Sequence, residues 1–242
     1  MSRGTLCVLT LHRVVPRLEQ DHDLRIESFE RVLDLIGATE ATTDLRLSAR
    51  SAVALTLDDA TEDHLAAAER LAERNLRAIL FVPAAKLGCR GHLDERALRR
   101  LVSLGHSVGS HGLSHIRLER LPQPALRYEL EASRDVLGQL TGSAPRYFAP
   151  PGGSDHPALA AELEAAGYEA SRSTRWGLYH SDAQRLRIPS VPVTELTLRR
   201  GWVEAALAGV LPCAMRAVFA GKRALPARVH ATARRVANRR GG

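Results

Sequence analysis

The stretch AVALTLDDATEDH, residues 52–64, decides how the rest of this sequence is interpreted. Six mostly apolar residues predict a buried β-strand, and this strand runs directly into two adjacent carboxylates, Asp58 and Asp59. Like charges at neighbouring positions repel, and at the end of a buried strand desolvation adds to that cost unless a cation lies beside them. The stretch therefore predicts a cation at the carboxyl end of the strand.

Strand and helix patterns alternate along the chain on both sides of this stretch. Strands are predicted at 5–12, 52–57, 77–83, 106–111, 146–150, 168–173 and 186–193, and helices at 27–37, 61–75, 93–105, 123–142 and 156–167. Helix C-caps are predicted at Gly37, Gly105, Gly142 and Gly167. Such βα alternation favours a barrel-like or a doubly wound α/β sheet, whose functional groups gather at the carboxyl ends of the strands.

Composition limits the class of protein. With 242 residues, 45% hydrophobic and 25% charged, the chain can bury a sizeable core as one large domain, or one domain plus an appendage. Cys7, Cys89 and Cys213 form no CxxC pair, which argues against a thiolate zinc site or a disulfide framework and fits a reducing compartment. The N-terminal segment predicts a first strand rather than a signal peptide, and no apolar run reaches the roughly 20 residues of a spanning helix.

The net charge of +7 is unevenly distributed along the chain. Residues 199–242 carry +9, which leaves −2 on residues 1–198. A near-neutral body argues against a nucleic-acid surface on the main domain. We therefore predict two parts, a domain at 1–198 and a basic, partly amphipathic helical extension at 199–242.

Two histidines in SHGLSH, residues 110–115, offer ligands for the cation. On an extended strand the Cα atoms of His111 and His115 would lie about 13 Å apart, whereas on one helical turn they share a face about 6 Å apart. On such a turn they can bind one ion. Two imidazoles and one carboxylate suit a zinc-like or iron-like divalent ion and leave coordination positions open for water and substrate.

The segments TLDDA (56–60), SHGLSH (110–115) and RYFAPPGG (146–153) resemble, in this order, the first three motifs of the polysaccharide deacetylase family. This family is also called NodB-homology or carbohydrate esterase family 4, and the resemblance covers about residues 5–195. It implies a distorted (β/α) barrel of about seven strands in the 1–198 domain. It also implies a metal-dependent hydrolase that removes N-acetyl groups from amino sugars, which is hydrolysis of a non-peptide carbon–nitrogen amide bond.

The resemblance also implies roles by position. Asp58 would be the catalytic base, and Asp59, His111 and His115 would bind the metal. Zinc is the first expectation, with iron, cobalt, nickel or manganese as alternatives. The backbone N–H of Gly152 would stabilise the oxyanion that forms when water attacks the amide.

Three positions depart from the motifs. Ala60 stands where the first motif usually has glycine, and Gly112 where the second usually has serine or threonine. Ala149 replaces the arginine that often opens the third motif and orients the base. Arg146 and Arg175 are the candidates to replace that arginine.

The fifth motif, which carries the general-acid histidine, is not recognisable. His180 and His12 are the candidates for the acid, and His180 is the one we assign as catalytic. His12 is also assigned to substrate binding, because LTLHRV resembles a first-strand segment of one deacetylase branch. Pro150, Pro151 and Trp176 are the other predicted substrate-binding residues, with Trp176 as a wall of the pocket.

The predicted function is removal of an N-acetyl or other acyl group from an amino sugar of a polysaccharide or glycan precursor. Two alternatives stay open. One is hydrolysis of another amide, such as a formamido sugar or a cyclic amide. The other is a catalytically silent, deacetylase-like carbohydrate-binding protein. Nucleic-acid binding through the basic tail is the least favoured interpretation.

The predicted location is the cytoplasm, with peripheral contact to the cytoplasmic face of the membrane. Residues 201–219 are largely apolar and contain Trp202, and basic residues follow them. Such a pair of segments can bind an interface through acyl-chain burial and attraction to anionic headgroups. Equally compatible with the pattern is a helix that packs on the barrel. A cytoplasmic enzyme of this kind would meet lipid-linked or nucleotide-linked glycan precursors.

Overall fold

A computed structural model describes residues 4–37, 41–48, 50–180, 182–211 and 215. The strands are β1 Leu6–Leu11, β2 Val14–Val15, β3 Leu24–Arg25, β4 Ala52–Asp58, β5 Ala78–Val82, β6 Ser107–Ser110, β7 Tyr147–Phe148, β8 Ala170–Trp176 and β9 Ile188–Pro192. The α-helices are α1 Ile26–Ile36, α2 His64–Glu73, α3 Glu95–Ser103, α4 Gln123–Thr141, α5 Leu159–Ala165, α6 Glu195–Arg199 and α7 Trp202–Leu207. All seven predicted strands and all five predicted helices have a counterpart here.

Seven parallel strands close into a barrel in the order β1-β4-β5-β6-β7-β8-β9. Closure occurs where β9 pairs with β1, at Leu9 with Val191 and Thr10 with Pro192. The prediction of a distorted (β/α) barrel with about seven strands is confirmed. Strands of such a barrel are covered on both faces, which is why they appear in the sequence as short apolar runs.

Local signals in the sequence account for several helix ends. Helix α3 begins after Asp94, whose carboxylate accepts a hydrogen bond from the backbone N–H of Ala97 at 2.7 Å. Helix α4 ends at Gly142, which adopts a left-handed φ of +77° that favours glycine. Gly37 is the C-cap of α1, as predicted, and it ends that helix with a right-handed φ of −52°.

The register of the strands brings the functional segments to one edge of the barrel. Leu11 pairs with Leu57, Asp58 with Phe81, and Val82 with Ser110. The residues that follow these strand ends therefore emerge at the same edge. This edge is the carboxyl end, where parallel barrels carry their active sites.

Side chains alternate between the two faces of the barrel wall. Inward-facing residues form one buried cluster, and its members are Leu6, Val8, Leu45, Ala54, Ile79, Phe81, Tyr147, Ala149, Ala170, Tyr179 and Ile188. Asp58 and Arg172 stand at the same alternate positions as Ala54 and Ala170, so they also point into the barrel. The barrel interior is thus apolar toward the amino ends of the strands and charged near their carboxyl ends.

The described part of the predicted extension packs on the barrel. The predicted boundary between residues 198 and 199 falls inside α6. In α7, Trp202 is 6% exposed and its ring lies edge-on to Trp176, with centroids 5.9 Å apart. Trp202 is therefore not free to enter a membrane in this arrangement. No helix in the described ranges is long and apolar enough to cross a bilayer, and residues 216–242 lie outside them.

Candidate active site and metal centre

Two carboxylates end strand β4, as the sequence predicts. Asp58 is its last residue, and Asp59 and Ala60 follow with φ of +78° and +50°. Left-handed backbone is strained for residues other than glycine, by about 1 kcal/mol or more at each position. The turn directs Asp59 away from the barrel wall, so the two carboxylates face different neighbours. It also explains why glycine suits the position of Ala60.

The two histidines of SHGLSH meet through a loop. The prediction of a helical turn was wrong, because residues 111–115 are not helical and the backbone is left-handed at Gly112, with φ +77°, and at His115, with φ +63°. The loop still brings the rings of His111 and His115 to a centroid distance of 5.0 Å. His111 Nδ1 donates to the carbonyl of Ala149 at 2.6 Å, which leaves its Nε2 lone pair for a ligand.

Three ligand atoms converge at this edge of the barrel. One ligand atom each of Asp59, His111 and His115 lies within 4.8 Å of the other two. Asp59 Oδ1 is 3.3 Å from His111 Nε2 and 2.9 Å from His115 Nε2. Burial alone would raise the pKa of Asp59, but the two imidazoles outweigh it and hold that pKa far below its usual range.

The donor set fits a divalent metal ion. His115 Nε2 is buried, and it has no well-aligned hydrogen-bond partner in the described protein although Asp59 Oδ1 is close. A buried polar atom without a partner is costly, and an ion placed between the three donors would satisfy it. One carboxylate and two imidazoles are a ligand set that zinc and related ions accept.

A buried glutamate holds the histidine loop in place. Glu129 on α4 accepts hydrogen bonds from the backbone N–H of Leu113 at 2.9 Å and of Ser114 at 3.0 Å, and from the Ser114 hydroxyl at 2.5 Å. These bonds offset the strain of the left-handed backbone at His115. Sequence reasoning missed Glu129, because only the fold brings α4 beside this loop.

Asp58 faces a different cation. Its Oδ2 forms an ion pair with Arg172 Nη2, and both residues are almost fully buried, with 2% and 1% exposed. Its Oδ1 is buried and has no hydrogen-bond partner in the described protein. One oxygen of this carboxylate is thus held by Arg172, and the other has no protein partner among the described residues.

Arg172, which sequence reasoning missed, is the arginine that contacts Asp58. The predicted candidates lie elsewhere. Arg146 pairs with Glu169 at 2.7 and 2.6 Å on the outside of the barrel. Arg175 is exposed and lines a cavity of about 170 Å³. A usable signal was present, since the side chains of Arg172 and Ala170 must point to the same face of β8.

The sequence model of the polysaccharide deacetylase family matches residues 48–171, which contain the Asp pair, both histidines and the third motif. The chain belongs to the polysaccharide deacetylase family. A peptidoglycan-N-acetylglucosamine deacetylase of Bacillus cereus is 27% identical over 106 residues, which are 43% of this chain and 37% of that protein. The match thus spans well under half of this curated relative.

Solved structures resemble this deacetylase-family chain in fold. The Streptococcus pyogenes deacetylase PplD, solved in complex with acetate, matches with a TM-score of 0.78 at 16% identity, over 87% of this chain and all of that one. IcaB from Ammonifex degensii matches with a TM-score of 0.71 at 21% identity, over 86% of this chain and 97% of that one. At sequence identities of 16% and 21%, these similarities show a shared fold only.

His12, at the end of β1, lies at the deacetylase-family site. Its Nε2 is 3.9 Å from Asp58 Oδ2, and its ring is 4.8 Å from that of His22 between centroids. The buried His64 ring bonds to the His12 carbonyl and fixes the backbone there. Burial lowers the pKa of His12, against the opposite effect of Asp58.

The structure places His180, which was predicted to be catalytic, away from Asp59, His111 and His115. Its Nδ1 lies 3.1 Å from the hydroxyl of Thr5, next to the bridge between Leu6 and Tyr179. Leu6 is the first residue of β1, so His180 lies at the amino end of the barrel. The six residues of β1 rise about 3.3 Å each, and this length separates His180 from the carboxyl edge of the barrel.

The third motif forms a tight turn beside the histidines. Gly152 has φ +59°, and an added Cβ would lie 3.2 Å from Arg117 Nη1. Pro150 and Pro151 are both buried, and Pro150 also lines the 170 Å³ cavity. Trp176 ends β8 and packs on Trp202, so its predicted place in a substrate pocket stays a prediction.

Proposed function

We propose that this chain is a metal-dependent hydrolase that removes N-acetyl groups from an amino-sugar glycan. One observation carries the proposal. Asp59, His111 and His115 converge on one point, next to a buried Asp58 with one free oxygen, at the carboxyl edge of the barrel. Membership of the polysaccharide deacetylase family supports the same chemistry.

Asp59, His111 and His115 would hold the metal, with zinc as the expected ion. When bound, such an ion polarises the amide carbonyl and makes water more acidic. Asp58 Oδ1 accepts the proton of the attacking water, because Arg172 already occupies Oδ2. The backbone N–H of Gly152 donates to the carbonyl oxygen as negative charge develops on it.

The leaving amine needs a proton before the carbon–nitrogen bond breaks. We assign this role to His12, because it lies 3.9 Å from Asp58 and can deliver a proton to the same side of the substrate. Substrate binding by Pro150, Pro151 and Trp176 remains part of the proposal.

Acetate release tests the proposed function. The zinc-loaded protein is incubated with oligomers of N-acetylglucosamine and, in parallel, with the matched N-formyl oligomers. We expect acetate from the first and a lower rate with the second. Faster release of formate would favour the formamido-sugar alternative. Bound zinc without release from either amide would contradict the proposal and favour a carbohydrate-binding protein.

We also propose peripheral contact with the cytoplasmic face of a membrane, where the substrate is a lipid-linked or nucleotide-linked glycan precursor. The support is the charge of +9 on residues 199–242. Because Trp202 is buried, this contact relies on the basic residues rather than on insertion of that ring.

Vesicle co-sedimentation tests this location with full-length protein. Vesicles rich in phosphatidylglycerol should bind the protein at low salt and release it at high salt, and neutral phosphatidylcholine vesicles are the control. A variant with Arg234, Arg235, Arg239 and Arg240 replaced by Gln should bind more weakly, since each basic residue near the surface contributes about 1 kcal/mol. Equal binding by both proteins, or none by either, would contradict the proposal.

A further inference from the structure

We propose that Arg175 and Thr174 form an anion-binding subsite for the phosphate group of a substrate that carries phosphate on the first carbon of its amino sugar. This inference rests on the proposed function and narrows its substrate, because nucleotide-linked and lipid-linked precursors both carry phosphate at that carbon. Three features support it. They are a cavity beside the third-motif turn, a bulge in β8, and an arginine without an ion pair among the described residues.

The cavity lies beside the third-motif turn and has a volume of about 170 Å³. On one side it is lined by the turn residues Pro150 and Gly153, and on the other by Thr174 and Arg175 near the end of β8. A cavity needs about 10–15 Å³ to hold one water molecule, so this one has room for a phosphate group.

Strand β8 is irregular where it reaches this cavity. Between two paired positions β8 advances four residues, from 172 to 176, while β9 advances two, from 188 to 190. The extra residues form a bulge, and bulges near active sites re-aim side chains. Ser173 holds the bulge, because its hydroxyl donates to the carbonyl of Ile188 at 3.0 Å and accepts from the Arg175 N–H at 3.4 Å. Thr174 and Arg175 stand exposed in this bulged segment.

Thr174 packs directly against the turn. A Cβ added to Gly153 would lie 2.1 Å from Thr174 Oγ1, and Gly153 has a left-handed φ of +65°, so this approach requires glycine. The Thr174 hydroxyl therefore lies at the wall that the cavity shares with the turn. Within the described part of the chain this hydroxyl has no hydrogen-bond partner, so it can donate to an anion.

Arg175 supplies the positive charge. Two neighbouring arginines are already paired, Arg187 with Asp155 at 3.1 Å and Arg185 with Glu164. Arg175 is exposed, and its guanidinium forms no ion pair with any residue that the structure describes. A planar guanidinium can donate two parallel hydrogen bonds to a phosphate, which gives a directed, charge-assisted contact.

The turn connects this cavity to the reacting amide. The N–H of Gly152 is the proposed oxyanion donor, and Gly153, the next residue, lines the cavity. Just before the turn, the carbonyl of Ala149 accepts from the ring of His111, and Pro150 again lines the cavity. In a phosphorylated N-acetyl amino sugar, the acetamido group and the phosphate are on adjacent ring carbons. A substrate whose amide lies at Gly152 can therefore place its phosphate across the turn, in the cavity.

A second cavity, of about 420 Å³, shares Arg175, Leu186 and Arg187 with the first. Arg175 therefore stands between a small cavity at the turn and a larger one that leads away from it. The larger cavity has room for the group to which the phosphate is joined, either a nucleotide or the start of a lipid chain.

Binding to the metal-free protein tests the subsite without any need for activity. The full-length protein is treated with a chelator, so that phosphate cannot bind a metal ion, and is titrated calorimetrically with N-acetylglucosamine 1-phosphate or with N-acetylglucosamine. We expect the phosphate compound to bind at least about tenfold more tightly, the factor that a hydrogen bond to a charged group contributes. Arg175→Gln should lose this preference, and Thr174→Val should reduce it by a smaller factor.

Arg146→Gln is the matched control, because it removes the same charge from a partly exposed arginine on the outside of the barrel. It should bind both compounds as the wild type does. A preference that survives in Arg175→Gln would assign the phosphate to other basic residues and overturn the inference. Equal loss in Arg146→Gln would also overturn it, since the effect would then reflect net charge alone. Unchanged binding by Thr174→Val would remove Thr174 from the subsite.

Kinetics of the zinc-loaded protein identify the source of the phosphate. The substrates are UDP-N-acetylglucosamine, N-acetylglucosamine linked to farnesyl diphosphate, and neutral oligomers of N-acetylglucosamine. We expect kcat/KM to be at least about tenfold higher for one of the two phosphate-linked compounds than for the neutral oligomers. The better of those two shows whether a nucleotide or a lipid carries the sugar. Arg175→Gln should raise the KM for that compound about tenfold and leave the kinetics on neutral oligomers unchanged.

Two kinetic results would overturn the inference. One is a higher kcat/KM for the neutral oligomers than for both phosphate-linked compounds. The other is an equal rise of KM for neutral and phosphate-linked substrates in Arg175→Gln. A wild type that is inactive on every substrate would instead contradict the proposed function, and the binding experiment would then decide the inference alone.

Discussion

Asp58→Asn is expected to keep its metal and to lose at least about 100-fold in kcat, at the lower end of general-base contributions. The amide has nearly the same shape as the carboxylate but cannot take a proton from water. It can still accept a hydrogen bond from Arg172, so the barrel should fold as in the wild type. Acetate release gives kcat, and elemental analysis of the purified protein gives metal content.

The matched control for this variant is Asp59→Asn, one residue along the chain. Asp59 lies 3.3 Å or less from both imidazole nitrogens, whereas Asp58 faces Arg172. We therefore expect metal loss in Asp59→Asn and retention in Asp58→Asn. Equal metal loss in the two variants would show that the roles of the two carboxylates are not separate.

His111→Ala is expected to lose both the metal and the activity. Its imidazole is almost fully buried, and the hydrogen bond from its Nδ1–H to the Ala149 carbonyl fixes the direction of Nε2, a ligand atom that alanine does not supply. Asp59→Ala should give the same result. Metal content and acetate release are measured under identical conditions for the wild type and both variants.

His180→Ala is the histidine control for this experiment. The structure places His180 beside Thr5 at the amino end of the barrel, so we expect unchanged metal content and unchanged kcat. A large loss of kcat in His180→Ala, with metal retained, would return this residue to the active site and contradict the placement.

Strands and helices of the barrel could be predicted because their signals are local. Strands covered on both faces read as short apolar runs, and helices carry caps such as Asp94 and Gly142. The spacing of His111 and His115 predicted that their side chains come together. It did not predict the non-helical loop that brings them together. Spacing alone cannot reveal that a residue other than glycine, His115, adopts a left-handed φ.

Contacts that depend on register could not be predicted in the same way. Asp58 and Arg172 are 114 residues apart, and their contact follows only from closure of the barrel. A family motif directed attention to position 149, whereas the arginine stands on the neighbouring strand. His180 was assigned to the site for a related reason, since the bridge between its neighbour Tyr179 and Leu6, at the start of β1, leaves no pattern in the sequence.

Zinc titration of the metal-free protein tests the central claim most directly, namely that Asp59, His111 and His115 hold one catalytic divalent ion beside Asp58. Metal is removed with a chelator, and zinc is added back while binding and acetate release are recorded together. We predict that both saturate at one equivalent per chain in the wild type and that His111→Ala shows neither. Full activity in the chelated protein, or undiminished zinc binding in both His111→Ala and Asp59→Ala, would contradict the claim.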